Sequence, residues 1–277
     1  MRTNNWKLTL FQKKFGIKRL LYSYYMTRAI EYPLAFNSMD LSPEMNVLDF
    51  RSGDSIFPIY LAAQGMCTYC CDIVSSSLIG MKETISQSRY KSLLNEKLNH
   101  IFLDGGRVPC KSNFFDRIFA ISTLEHLKGD EDSKSIKELA RVLKPGGKMF
   151  ISVEFHKDFR EIIIPKNGHS RSNDKITHYE WENFIRYYDR KSVFKRIVDP
   201  SGLSLEKMFL FGSPNFNIRK FTDTIHLLKY GMIGNPLIAK IFYRTLQNKE
   251  DVLACANAKP EYFSNIVACL VLNKDKA

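Results

Sequence analysis

The stretch that decides the fold is NVLDFRSGDSIFPIYLAAQG, residues 46–65. Its first five residues, Asn46–Phe50, read as a buried strand. Asp54–Gln64 follows as a predicted helix, with Pro58 in its first turn and Gly65 just past its end. A strand joined to a helix by a glycine-containing turn offers unsatisfied backbone amides to a ligand. We therefore expect a binding site at this turn.

The alternation of short apolar runs and helical segments continues to residue 153. The further predicted strands are Met66–Cys71, His100–Leu103, Arg117–Ser122 and Lys148–Val153, and the predicted helices are Ser75–Arg89 and Glu131–Leu143. Strands that alternate with helices at this spacing imply parallel βαβ units. The sequence thus predicts an α/β fold with a Rossmann-like, doubly wound sheet. Leu205–Phe211 and Asn265–Leu272 are expected to form a late hairpin, with a helical excursion over Phe216–Gln247.

Four regions follow from these changes of pattern. We expect a basic helical N-terminal arm at 1–45, a cofactor-binding core at 46–153, an inserted cap that forms the acceptor region at 154–203, and C-terminal strands with a helical insertion at 204–277. The arm has seven basic residues before its first acid, Glu31. Either it packs on the domain with a solvated basic face, or it docks on anionic lipid or on a phosphate-bearing acceptor.

Composition limits the class of protein. The 277 residues are 44% hydrophobic and 25% charged, with a formal net charge of +12, which is typical of a globular chain and makes an acidic partner plausible. Apolar runs stay below the roughly 18 residues of a membrane span, and the N-terminus does not resemble a secretory signal. Cys67 and Cys70 have zinc-like spacing without a second ligand pair, so buried thiols and a cytoplasmic location are expected.

Three acidic strand ends are predicted to meet at one crevice. Asp49 lies in the first strand, Asp72 closes the second and Asp104 closes the third. In a doubly wound sheet, ligands bind beyond the carboxyl ends of the strands. An acid at position 72 is placed to hold a ribose diol, and a carboxylate at 104 would accept from an exocyclic amine. Together they predict a nucleoside-shaped site, although each alone also fits a helix cap.

The run from about Asn46 to Val153 resembles the class I S-adenosylmethionine-dependent methyltransferases, particularly their small-molecule branch. The motifs that carry the resemblance are Leu48–Gly53, Phe115-Asp116, Leu124-Glu125-His126 and the RVLKPGG run at 141–147. The resemblance implies a seven-stranded sheet whose last strand is antiparallel, and S-adenosylmethionine as cofactor. A weaker resemblance at Tyr187–Gly202, to bacterial methyltransferases of polysaccharide or secondary metabolism, favours a sugar, glycan precursor or small natural product as acceptor.

The same resemblance implies roles for individual residues. Asp49 and Gly53 would lie by the methionine moiety, Asp72 by the ribose, Asp104 by the adenine amine and Ser122 on the pocket floor. The cofactor-binding residues that we predict are Asp49, Phe50, Arg51, Gly53, Ser55, Asp72, Ile73, Asp104, Gly105 and Ser122.

Arg51 departs from the family pattern, which has a glycine at that place. Either its side chain points away or pairs with the cofactor carboxylate, or cofactor binding is impaired. The alternative function is therefore a catalytically degenerate scaffold or regulatory subunit. An RNA methyltransferase is a third hypothesis, and nucleic acid is not the expected partner because no RNA-binding module is present. A nicotinamide dehydrogenase would need the G-x-G-x-x-G turn that this chain lacks.

His126 is the predicted catalytic residue. Methyl transfer to a hydroxyl requires removal of a proton, and histidine is the natural base near neutral pH. His156 is the second choice, and a structural hydrogen bond is the other interpretation of His126. We predict no metal, because Ser122 stands where related metal-dependent enzymes have a second carboxylate.

Overall fold

The computed structural model describes residues 7–8, 11, 27–53, 55–73, 91–103, 106–164, 183–212, 244–246 and 266–276. Its strands are β1 (Asn46–Phe50), β2 (Cys67–Asp72), β3 (Leu98–Phe102), β4 (Phe115–Ile121), β5 (Leu143–Phe155), β6 (Arg160–Ile164), β7 (Asn183–Tyr187), β8 (Ser204–Gly212), β9 (Arg244–Thr245) and β10 (Ile266–Asn273). Its helices are α1 (Arg28–Ser38), α2 (Ile56–Ala63), α3 (Lys91–Lys97), α4 (Glu131–Val142), α5 (Arg190–Val193) and α6 (Asp199–Ser201), with a 3-10 turn at Leu124–His126 and a π-helical turn at Phe194–Val198.

The main sheet has the strand order β3-β2-β1-β4-β5-β10-β8-β9. The first five of these strands are parallel to one another, and β10 runs antiparallel between β5 and β8. The expected seven-stranded sheet with an antiparallel last strand is thus confirmed. The two-residue strand β9 extends its edge. Because parallel strands all end at the same edge, the residues that follow β1, β2 and β4 are brought together.

Helices cover both faces of the sheet, which explains why the central strands are almost wholly apolar. One core lies between the sheet and α1, α2 and α3, and the other lies between the sheet, α4 and the segment at 190–201. Cys70 and Cys71 point into opposite cores as buried thiols that form no disulfide bond. Among the described helices, none is long and apolar enough to cross a membrane.

Several boundaries differ from the sequence prediction. Helix α2 begins at Ile56 rather than Asp54 because the Ser55 hydroxyl caps it by accepting from the backbone N–H of Phe57. Strand β5 begins at Leu143 rather than at Lys148, so residues 144–147 of the RVLKPGG run form its bulged start. The predicted helix Ser75–Arg89 lies outside the described residues, as does most of the helical excursion 216–247. Within that excursion the helix prediction is wrong at Arg244–Thr245, which form β9.

The region at 154–203 contains a second, two-stranded sheet. Strands β6 and β7 pair antiparallel, and the hairpin joins the main sheet through backbone hydrogen bonds between His156 and Tyr188 (2.8 Å) and between Tyr188 and Glu154 (3.0 Å). The sequence predicts an inserted cap in this region but not its two strands.

A buried ion network attaches this hairpin to α4. Asp132 is fully buried and forms ion pairs with Arg186 and Arg196, each at 2.8 Å. The Tyr188 hydroxyl donates to the same carboxylate at 2.7 Å. Both arginines also donate to the carbonyl oxygen of Gly129. One carboxylate therefore ties together α4, β7 and the π-helical turn.

We expect Asp132→Asn to lower the free energy of unfolding by about 3 kcal/mol, because it removes the buried counter-charge of Arg186 and leaves this guanidinium with the exposed Glu161 as its remaining ion-pair partner. Urea unfolding measures the loss. The matched control is Asp130→Asn, two residues away in an exposed pair with Lys134, which should leave stability unchanged. Equal effects of the two variants would contradict the role given to Asp132.

Candidate functional site

The turn after β1 is tied to the end of β2 by hydrogen bonds. The backbone N–H of Ser52 donates to the Cys71 carbonyl at 3.3 Å, and that of Gly53 donates to Asp72 Oδ2 at 2.9 Å. Gly53 has φ +56°, and no heavy atom would lie within 4 Å of a Cβ at this position. The turn therefore leaves open space at the carboxyl end of the sheet, where a ligand could approach its backbone.

Asp72 is buried, and both of its carboxylate oxygens are oriented by the backbone. Oδ2 accepts from Gly53 as above, and Oδ1 accepts from the N–H of Ile73 at 2.7 Å. A carboxylate oxygen can accept more than one hydrogen bond, so this fixed group suits the diol of a ribose. Ile73 beside it is 38% exposed and offers apolar surface at the same edge. The accepting carboxylate of Asp72 and the apolar surface beside it fit a nucleoside cofactor.

Arg51 occupies a left-handed backbone position that favours glycine, with φ +53°. Its guanidinium carbon lies 5.9 Å from the centre of the Phe50 ring, and its buried Nε has no hydrogen-bond acceptor among the described residues. Burial lowers the pKa of the guanidinium, and the charge of Asp72 opposes that shift. The backbone at this position thus holds a conformation that favours glycine although an arginine stands there.

Asp49 is a buried carboxyl next to the last residue of β1. Burial raises its pKa to about 8; the positive charge of Arg28 opposes this shift and the charge of Asp72 adds to it. The side chain is therefore mostly protonated at neutral pH in the protein without ligand. A carboxyl poised in this range can respond to a charge that enters the crevice.

Ser55, a predicted cofactor residue, has its hydroxyl engaged within the protein. Besides capping α2, its Oγ shares a 2.8 Å hydrogen bond with the Tyr32 hydroxyl. The Tyr32 ring stacks on Phe57 with 4.9 Å between ring centres. These contacts hold α1 against the start of α2, beside the turn.

Helix α1 also reaches the ends of β4 and β5. Glu31 is 1% exposed, and its Oε1 accepts from the hydroxyls of Ser122 (2.8 Å) and Ser152 (2.6 Å). Its Oε2 pairs with Arg28 at 2.5 Å. For Arg28, the expectation of a solvated basic face on the arm is wrong, because the side chain is turned into this network. Ser122 lies just after β4, at the same sheet edge as the turn, with φ +44°.

Two further glutamates belong to this end of the sheet. Glu125 lies in the 3-10 turn and Glu154 near the end of β5. Burial raises the pKa of both carboxyls; the charge of Glu125 raises that of Glu154 further. Arg28, Glu31 and Glu154 are residues of this site that the sequence pattern did not indicate. The i,i+3 spacing of Arg28 and Glu31 was a signal of their pairing, but nothing local pointed to their place in the crevice.

His126 stands exposed at the end of the 3-10 turn. Its Nδ1 lies 3.1 Å from the carbonyl oxygen of Phe184, in the hairpin strand β7. A carbonyl can only accept, so Nδ1 carries a proton, and in the neutral form of the ring the lone pair lies on Nε2. His156, the second choice, is buried and its Nδ1 accepts from the N–H of Asp158 at 3.2 Å.

The structure therefore places eight of the ten predicted cofactor residues near the carboxyl ends of β1, β2 and β4. Asp104 and Gly105 lie outside the described residues, so their roles stay predictions. Within the described part of the chain, no three His, Cys, Asp or Glu side chains come together as a metal site.

We expect Arg51→Gly to be more stable than Arg51→Ala by about 1 kcal/mol, because only glycine removes the cost of the positive φ. Both variants lose the same guanidinium, so their difference isolates the backbone. Thermal or urea unfolding of the two measures it. Equal stabilities would mean that position 51 does not hold the left-handed conformation.

We also expect the ligand-free protein to lose stability between about pH 4 and pH 8. Because Asp49 has a pKa near 8 when folded and near 4 when unfolded, the folded state holds a proton that the unfolded state releases in this range. Stability thus falls as pH rises, and Asp49→Asn should lessen the fall. Urea unfolding at several pH values tests this, and an unchanged slope in the variant would refute the assignment.

Comparisons with known proteins agree with this geometry. Residues 48–151 match the family model described as a methyltransferase domain. Demethylmenaquinone methyltransferase of Corynebacterium glutamicum is 24% identical over 178 residues, which cover 60% of this chain and 70% of that protein. The tRNA N(3)-cytidine methyltransferase of Danio rerio is 29% identical over 118 residues, which cover 41% of this chain and 32% of that protein.

The fold itself is shared with solved structures. A SAM-dependent methyltransferase from Methanosarcina mazei superposes with a TM-score of 0.57 at 15% identity, covering 89% of this chain and 99% of that one. At such low identity the likeness shows the fold alone. The match over residues 48–151 identifies this part of the chain as a methyltransferase domain, and S-adenosylmethionine is its cofactor.

Proposed function

We propose that the protein methylates a hydroxyl group of a sugar, a glycan precursor or a small natural product. The observation that carries this proposal is the hydrogen bond between His126 and the carbonyl oxygen of Phe184. It selects the tautomer with the proton on Nδ1, in which Nε2 of a neutral imidazole would carry the lone pair that takes a proton. Transfer to an oxygen acceptor is the reaction that makes use of such a base.

The hairpin supports the same assignment. Phe184 belongs to β7, inside the region that we propose as the acceptor cap at 154–203. The orientation of His126 depends on its hydrogen bond to that cap. The element that covers the acceptor would therefore also position the base. The network around Asp132 fixes the hairpin to α4, so this orientation is backed by buried ion pairs.

The proposed roles divide between two groups of residues. The cofactor supplies an electrophilic methyl group on a sulfonium. Asp72 and the turn at Gly53 would hold its nucleoside part, and His126 Nε2 would take the proton of the acceptor hydroxyl as its oxygen gains the methyl group. The basic arm is proposed to suit an acceptor that bears phosphate or is linked to lipid.

The acceptor can be found by an untargeted search. Small-molecule, glycan and RNA extracts are incubated with the protein and with cofactor that carries a deuterated methyl group, and products that gain this label are identified by mass spectrometry. A labelled hydroxyl on a small molecule supports the proposal. Label on RNA or on the ring carbon of a quinol, substrates suggested by the names of the two relatives above, would overturn it.

With the acceptor in hand, His126→Gln should lower kcat by about 10²-fold or more while cofactor affinity stays the same. His156→Gln is the comparison variant, because that histidine is the rival base and should leave kcat nearly unchanged. Stopped assays give kcat, and calorimetric titration gives the cofactor Kd. An unchanged kcat in His126→Gln would show that this residue has a structural role and is not the base.

A further inference from the structure

Four carboxyl groups lie within electrostatic range of one arginine at the carboxyl edge of the sheet; three of them are buried and Glu154 is partly buried. Arg28 interacts electrostatically with Glu31, Glu125, Asp49 and Glu154. We call these four acids the acidic cluster. They come from α1, the 3-10 turn after β4, β1 and β5, so distant parts of the chain converge there.

One oxygen of the acidic cluster lacks a hydrogen-bond partner among the described residues. Glu125 is 1% exposed, and its buried Oε2 meets no hydrogen-bond donor in that part of the chain. Glu31 differs, because two serine hydroxyls and Arg28 satisfy it. A buried carboxylate oxygen without a donor costs free energy unless it is protonated or meets a positive charge.

The charges of the cluster do not balance. With all four acids ionised, one guanidinium would leave three negative charges uncompensated in a site shielded from water. Burial raises the pKa of Asp49, Glu125 and Glu154 and so favours their protonated forms when no ligand is present, and repulsion from neighbouring acids adds to this effect. A ligand that brings a positive charge would let the acids ionise and would be attracted by them.

We propose that the acidic cluster binds the sulfonium charge of S-adenosylmethionine and thereby selects the charged cofactor over its neutral product. The proposal rests on the cofactor assignment made above. When the methyl group leaves, the sulfur keeps the electron pair of the broken bond and becomes an uncharged thioether. The attraction is lost at that moment, so the same acids that hold the cofactor favour release of S-adenosylhomocysteine.

The location supports the sulfonium as the cation. Asp49 belongs to the strand that ends in the glycine turn, and Ser122, which donates to Glu31, ends the neighbouring strand β4. The acidic cluster therefore lies at the edge where a doubly wound sheet binds its ligand. A protonated amine on the acceptor is the competing cation, and the experiment below separates the two.

The test compares ligands that differ in charge. Kd values of S-adenosylmethionine, S-adenosylhomocysteine and sinefungin, an analogue with a protonated amine in place of the sulfonium, are measured by calorimetry without acceptor. In Glu125→Gln we expect about tenfold weaker binding of the two cationic ligands and less than about a twofold change for S-adenosylhomocysteine. Glu96→Gln, an exposed glutamate on α3, is the matched control and should change none of the three.

Other outcomes are equally informative. Equal weakening of all three ligands would overturn the proposal and point to the α-ammonium group that they share. No weakening of the cationic pair would also overturn it and leave an acceptor amine as the cation to seek. Failure of the wild-type protein to bind any of them would overturn the cofactor assignment itself. Glu154→Gln, on a different element, repeats the test if Glu125→Gln does not fold, and thermal unfolding of each variant verifies its integrity.

Discussion

The carboxylate of Glu31 joins the N-terminal helix to the end of the sheet. It accepts from Ser122 and Ser152, which belong to neighbouring strands, and it pairs with Arg28 on its own helix. Because it is buried, loss of any of these donors would leave a charge without compensation. The position of α1, and with it Tyr32 above the start of α2, depends on this one group. Helix α1 is therefore a wall of the crevice rather than an appended arm.

The opposite side of the crevice depends on a second buried acid. Asp132 holds the β6–β7 hairpin through Arg186 and Tyr188, and it holds the π-helical turn through Arg196. The hairpin in turn supplies the carbonyl that orients His126. Ion pairs of this kind add little net stability compared with apolar packing, yet they fix geometry when every donor is satisfied. The proposed base is thus positioned by contacts that begin at another helix.

The crevice between α1 and the β6–β7 hairpin is acidic, which is unusual for a protein with a net charge of +12. The described crevice gathers acids, whereas much of the basic excess lies elsewhere in the sequence. Overall charge influences which partners approach, while the local field at a buried site is set by the few groups that face it. A cationic cofactor and an acidic crevice are complementary in this respect.

The sequence alone determined the parallel sheet, the position of the turn at 51–53 and the acid at 72, because hydrophobic periodicity and glycine placement are local properties. The antiparallel last strand followed from the family resemblance. The left-handed backbone at Arg51 was not predictable, because residues with a side chain rarely adopt a positive φ. Only the tertiary structure brought Arg28, Glu31, Glu125 and Glu154 together. These residues are up to 126 positions apart, and no local pattern records which strand ends a helix will meet once the sheet has formed.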